Sequence, residues 1–249
     1  MVAGRSAIPE ETKRAVRQRC RFGCVICGIP VFHYDHIEEY ADVQEHEEKN
    51  LTLLCPNHHQ MKTSKRLSKE LLLKCNANPF NEGKGLTTKS AVGLVSAGNL
   101  AKFFAGRNTF AFPIVPDRMF PCITIQGEVV VGITVSDGAL LLDLTLHDAA
   151  GGLAVVGRQG EVAVSTDNWD YRLEGATLSI RSAPREIIVE LEYFADGFWL
   201  RRGSFVSADG VKLSISETEC VAARGEEVYT FRSSTYLGRG ISLGQSGFN

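Results

Sequence analysis

Two pairs of metal-binding side chains constrain this chain more than anything else in it: Cys24-Val-Ile-Cys27 and Cys55-Pro-Asn-His58. A two-residue gap lets both members of a pair reach one ion, and two such pairs fill the tetrahedral shell that Zn2+ prefers. Three cysteines and a histidine make a closed shell, so this zinc is read as structural. The segment that carries them is too short to bury a sizeable core of its own, and a metal staple supplies what the core lacks. The cysteine count agrees. There are seven, an odd number, and Cys20, Cys24, Cys27, Cys55 and Cys75 fall in the first third. That distribution reads as metal ligation plus free thiols, not as a disulfide framework.

The remaining composition sets outer limits. At 249 residues and 44% hydrophobic content the chain can fill two modest domains. Its formal charge of −2 does not announce a nucleic-acid binder, although a local basic patch, not the average, decides how phosphates are met. No stretch approaches the roughly 18 apolar residues of a membrane helix. The start, MVAGRSAIPEETKR, lacks the apolar run and small-residue cleavage site of a signal peptide. The expectation is a cytoplasmic protein without membrane contact.

The two halves differ in pattern. From Pro9 to about Cys75 the text reads as helix, knuckle, hairpin and helix. Pro9 followed by Glu10 and Glu11 opens a helix running to about Arg19, because proline is tolerated in the first turn and acids suit the helix dipole there. A second helix is expected from Pro56 through the Lys62, Lys65 and Arg66 side, and a third from Ser68 until residues 76–80 end it. Residues 80–110, with Gly, Ser, Asn and Lys, read as a linker. Beyond them, residues 123–135, 139–146, 161–165, 176–180, 186–193 and 211–215 alternate apolar and polar side chains. Turn signals at Asp137, Asp209 and residues 195–197 separate them. The fold class is therefore α+β, with domain 1–79, linker 80–110 and an all-β domain 111–249, a sandwich or a rolled sheet.

Between the two metal-binding pairs stand Asp35-His36-Ile37 and Asn50-Leu51-Thr52-Leu53-Leu54, and His59 follows the second pair directly. On a strand the neighbours Asp35 and His36 point to opposite faces unless the strand is twisted or bulged. On a helix, neighbours diverge by about 100°, so His58 can face the zinc while His59 faces a different centre. AspHis, then Asn, then CysProAsnHisHis inside a CxxC frame resembles the HNH nuclease family with its ββα-metal fold. The resemblance spans about residues 9–66, and it departs at His58, where that family more often has cysteine; zinc accepts either.

The resemblance implies phosphodiester hydrolysis of nucleic acid, with DNA as the expected substrate. A neutral imidazole suits deprotonation of the attacking water, and that role falls to His36. Asp35 and His59 would hold a catalytic Mg2+ or Mn2+ against the scissile phosphate. Asn50 is either a further ligand or the amide that braces the hairpin. Lys62, Lys65, Arg66 and the basic first helix are candidate phosphate contacts. His33 and His46 read as ordinary surface or core histidines, and Glu45, Glu47 and Glu48 as a solvated loop face.

Residues from 100 onward carry no further catalytic motif. The β domain is expected to place or control the nuclease through a protein partner, a second copy, a ligand or DNA. Trp169, Tyr171, Phe198 and Trp199 with Arg201 and Arg202 form either a recognition surface or, the favoured reading, core and turn packing. A restriction or anti-phage effector is the biological expectation. The rival is a zinc-stabilised nucleic-acid- or protein-binding module without catalysis.

Overall fold

The computed structural model describes residues 7–93, 95–96, 98–207 and 210–243. They fall into two compact units, Met1–Lys89 and Ser90–Asn249. The first is small and mixed, the second all β, as the α+β reading expects. Among the described residues no helix is long and apolar enough to cross a membrane.

In the first unit, α1 (Glu10–Arg19) starts after Pro9, with two acids in its first turn and Arg17 and Arg19 in its last. β1 (His33–His36) pairs antiparallel with β2 (Leu51–Leu54), with Asp35 opposite Thr52 and His36 opposite Leu51. Between the strands lie the short helix α2 (Tyr40–Val43) and a single 3-10 turn, Glu48–Asn50. Helix α3 (Pro56–Thr63) follows β2, and α4 (Lys69–Ala77) is capped by Ser68, whose hydroxyl accepts from the Leu71 amide at 3.2 Å. Proline at the first position of α3 costs nothing, since its missing N–H would have no helical partner there. The core is modest: Val16, Cys20, Val25, Ile37, Leu51, Leu53, Leu54, Leu67 and Leu72 pack beside the metal-binding cysteines.

The second helix is shorter than expected. It ends at Thr63, and Lys65 adopts a left-handed backbone at φ 58°, so Lys65 and Arg66 lie beyond it.

The linker expected over residues 80–110 is not one. Asn81 is 1% exposed, and its amide donates to the Gly28 carbonyl at 2.9 Å and to the Arg21 carbonyl at 3.2 Å. The Thr88 hydroxyl donates to the Cys27 carbonyl at 2.8 Å. Gly28 takes φ 77°, and a Cβ there would lie 2.2 Å from the Asn81 side chain, so only glycine admits this close wrapping. Residues 80–88 thus belong to the first metal-binding turn, while residues 100–105 and 108–113 are strands of the second unit. Polar composition suggested a linker; buried hydrogen-bond partners made the segment part of the fold.

In the second unit, one sheet runs through Asp170–Glu174, Thr177–Ala183, Glu186–Phe194, Gly197–Val206, Leu100–Ala105, Asn108–Pro113 and Thr235–Leu237. A second runs through Ile241–Leu243, Arg118–Ile125, Glu128–Ser136, Ala139–His147, Leu153–Arg158 and Glu161–Val164. The run expected over 123–135 folds back at Gln126 and Gly127, both at positive φ. The turn expected at Asp209 lies outside the described residues.

Strand Gly197–Val206 serves both sheets. Its first half pairs with Glu186–Phe194 and Leu100–Ala105; its second half pairs with Lys212–Ile215, and Val206 bridges to His147. Arg201 is the extra residue of a bulge, since Leu200 and Arg202 oppose the adjacent Leu191 and Glu190. A bulge bends a strand, which is how a rolled sheet turns its corner. At that corner a Cβ on Gly203 would sit 2.4 Å from the Ile188 carbonyl oxygen. Gly203→Ala should therefore destabilise the second unit by about 1–3 kcal/mol, the usual cost of overpacking. A denaturant midpoint equal to wild type would contradict this account of the corner.

The aromatic surface considered in the second half resolves mostly into packing. Tyr171 and Phe198 are fully buried. The Trp199 indole N–H donates to the Gly106 carbonyl at 3.3 Å, and the Arg201 guanidinium lies 4.6 Å over the Trp199 ring. Arg201 and Arg202 are paired with Glu192 and Glu190, at 2.8 and 2.9 Å.

Candidate nuclease site

The metal frame forms where a turn after α1 meets the start of α3. Backbone bonds shape the first pair: Gly28 N–H donates to the Cys24 carbonyl at 2.8 Å, and Val25 N–H to the Leu53 carbonyl of β2 at 3.0 Å. The second pair is shaped by helix geometry, because Cys55 is the N-cap of α3 and its sulfur accepts from the His58 amide at 3.5 Å. The ligand atoms of Cys24, Cys27, Cys55 and His58 all lie within 4.8 Å of one another. Cys27 Sγ is 3.8 Å from Cys55 Sγ, and His58 Nδ1 is 3.3 Å from Cys24 Sγ and 3.2 Å from Cys55 Sγ. Tetrahedral zinc, with bonds of about 2.3 Å to sulfur and 2.0–2.1 Å to nitrogen, places sulfurs about 3.8 Å apart and sulfur and nitrogen about 3.6 Å apart. The cluster fits a zinc frame.

The electrostatics point the same way. Burial pushes the Cys24 thiol up and the Cys27 thiol up to about 12, and burial lowers His58. Thiols so placed become thiolates only when a cation takes the place of their protons, and binding then releases those protons.

β1 divides the expected catalytic residues between its two faces, with Asp35 on the side of α3 and His36 on the other. His33 and Asp35 alternate onto one face, which lies against α3: the His33 and His59 rings are 5.7 Å apart, and Lys62 Nζ is 3.3 Å from Asp35 Oδ2. His59 and Lys62, three residues apart, share that side of the helix. The Asp35 side chain is only 14% exposed, and its Oδ2 is buried without a hydrogen-bond donor. A carboxylate on the strand face that lies against α3 is the kind of oxygen donor a hard divalent cation takes, and in this structure the Lys62 ammonium is its ion-pair partner.

His36 alternates to the other face and is 2% exposed. Asn50 lies at the neck of the loop between the strands. Its Oδ1 accepts from the Glu38 amide at 2.7 Å, its Nδ2 donates to the Glu38 carbonyl at 3.2 Å, and its own carbonyl accepts from the Ile37 amide at 2.8 Å. Both ends of the amide are engaged with backbone next to His36, which is the bracing arrangement of the two considered from sequence.

The basic candidates separate. Lys65 and Arg66 are exposed, Arg66 with its Nε donating to Ser64 Oγ at 2.9 Å. Lys62 is half-buried between Asp35 and Glu39, 3.1 Å from the latter. Arg17 and Arg19 of α1 are engaged by other groups of the first unit. Arg17 is 1% exposed and donates to Tyr34 Oη at 2.5 Å and Glu10 at 2.9 Å. Arg19 donates to the Leu51 carbonyl at 2.5 Å and the Glu48 carbonyl at 2.8 Å, tying down the 3-10 turn that ends in Asn50.

Two contributions were not visible in the sequence. Asn81 and Thr88 brace the Cys24–Cys27 turn and its flanks from 53 to 61 residues away. His46, read as an ordinary histidine, places Nδ1 3.1 Å from His36 Nε2. The crowding of five of the six histidines into residues 33–59 was the available signal, but it does not say which of them meet.

No curated protein and no solved structure matches the chain. Residues 24–65 match the family described as HNH endonuclease. That segment opens at the first zinc-frame cysteine and contains β1, β2 and α3 with the zinc-frame residues, Asp35, His36, Asn50, His59, Lys62 and Lys65, while Arg66 lies just beyond it, so the match supports a nuclease-type function in general for this part of the first unit.

Proposed function

We propose that the first unit is a metal-dependent endonuclease that hydrolyses phosphodiester bonds of DNA. The observation that carries this reading is the meeting of Asp35 on β1 with the His59 and Lys62 side of α3, next to a frame whose zinc would fix both elements. Asp35 and His59 would hold Mg2+ or Mn2+, which when bound would supply positive charge to the scissile phosphate and the leaving oxygen. His36 accepts the proton of the attacking water, Asn50 braces the backbone beside it, and Lys65 and Arg66 with Lys62 contact phosphates. On the resemblance alone the proposal extends to a restriction or anti-phage role, restrained by the second unit or by assembly.

One observation favours a second reading. The Lys62 ammonium already gives Asp35 a cationic partner, as would suit a zinc-stabilised module that binds nucleic acid without cutting it. Plasmid assays on the zinc-loaded full chain separate the two. The nuclease reading expects nicked or linear product only with Mg2+ or Mn2+. Asp35→Asn and His59→Ala should each lower turnover at least about a hundredfold with zinc content unchanged. Unchanged turnover in both variants defeats the assignment. Binding of duplex DNA, single-stranded DNA and RNA without turnover under any divalent ion favours the second reading.

A further inference from the structure

In the second unit, strand Gly197–Val206 changes neighbours at its bulge. Its pairing with Glu186–Phe194 ends at Glu190 and Arg202, and from Gly203 onward it pairs with Lys212–Ile215. Glu186 and Ile187 stay paired with Thr177–Ala183. Between them and Lys212–Ile215 opens a cleft of about 430 Å³, a size usual for small-molecule sites. Three cations line it: Arg185, Arg202 and Lys212. Arg185 and Lys212 are exposed, and among the described residues neither side chain has an ion-pair or hydrogen-bond partner. The Arg202 guanidinium gives one N–H to Glu190 at 2.9 Å and keeps others. The nearby acids have partners of their own. Glu186 Oε2 accepts from the Ser182 hydroxyl at 3.1 Å, and Asp148, beside Ala149 of the cleft wall, accepts from the Ala150 and Gly152 amides at 2.9 and 2.8 Å. Even with Glu186 and Glu190 counted, positive charge is in excess among the described residues.

What sets these cations apart is convergence. Arg185 comes from the turn before Glu186–Phe194, Arg202 from the corner of Gly197–Val206 and Lys212 from the strand that follows, yet all face one cleft. Like charges brought together repel, and an anion between them relieves the repulsion. A phosphate ester presents several acceptor oxygens at once, so it can take guanidinium and ammonium donors together. The Ser204 hydroxyl, on the same cleft and 3.5 Å from Ser214 Oγ, is a further donor. The wall is not all polar: Ile187 is half-buried there and Ile215 is buried, which suits a ligand with an apolar part more than a bare ion. We propose that this cleft binds the phosphate of a nucleotide, free or within a nucleic-acid strand, with Arg185, Arg202 and Lys212 on the phosphate and Ile187 and Ile215 against the sugar or base. It is a binding site in which no bond is made or broken, and it stands whether or not the first unit cuts.

The test uses the zinc-loaded full chain without added Mg2+ or Mn2+, and reads the isoleucine methyl signals of Ile187 and Ile215 by nuclear magnetic resonance. Those signals belong to the cleft and not to the first unit, so binding elsewhere on the chain does not imitate the result. Adenosine monophosphate and a thymidine oligonucleotide are expected to shift both signals saturably, and inorganic phosphate to do so more weakly. Tighter binding of the oligonucleotide assigns the cleft to strands; tighter binding of the mononucleotide assigns it to free nucleotides. Arg185→Gln combined with Lys212→Gln should weaken binding at least about tenfold, as loss of charge-assisted contacts does, with an unchanged unfolding midpoint because both side chains are exposed. Unmoved signals with all three probes at millimolar concentration overturn the proposal. So do equal shifts with acetate at matched ionic strength, or undiminished affinity in the double variant.

Discussion

Cys55→Ala should leave the first unit without zinc and without a stable fold. Cys55 is at once a ligand, the N-cap of α3 and a buried neighbour of Leu53 and Leu54. The cap alone is worth about 1 kcal/mol. The metal is worth far more: structural zinc contributes on the order of 10–16 kcal/mol in small modules, comparable to or larger than the roughly 5–15 kcal/mol stability of a whole domain. Breaking the shell therefore removes the term that a small core cannot replace. The measurement is zinc released per chain, together with amide exchange over residues 7–89. One retained zinc and wild-type protection would show that the core suffices by itself. His58→Cys is the informative contrast, because it keeps four ligands and should keep both zinc and fold.

His36→Ala should lower kcat about 10²–10⁴-fold, the range attributable to a general base, with substrate affinity little changed. The effect is expected in kcat because the imidazole acts on water, not on the phosphates that bind the substrate. His36 is buried against Tyr40 and His46, so truncation also opens a cavity and costs some stability. Zinc content and the unfolding midpoint of the variant separate these effects, and His36→Gln, closer in volume, gives a second comparison. Turnover within a few-fold of wild type in both folded variants would remove His36 from the chemistry.

The ligand pairs were legible in the sequence because chelation is local: a two-residue gap in a turn or the first turn of a helix already places two side chains on one ion. The α+β class was equally legible, since strand alternation and helix caps depend on near neighbours; Leu100–Ala105, inside the presumed linker, alternates buried and partly exposed residues as well as any strand that was recognised. It was overlooked because glycine, serine, asparagine and lysine around it suggested solvent.

What the sequence by itself determined, then, is Cys24, Cys27, Cys55 and His58 as a frame; Asp35, His36, Asn50 and His59 it offered as the groups expected to use that frame. Only tertiary structure decided which neighbours each would have. Arg17 became a buried strut, Asn81 closed over Gly28, Lys62 settled against Asp35, and His46 returned through a ten-residue excursion to meet His36. The reason is physical. Spacing along a helix, strand or turn fixes direction over a few residues, whereas the partner of a buried polar group is chosen by whichever segment the whole fold brings within hydrogen-bond reach.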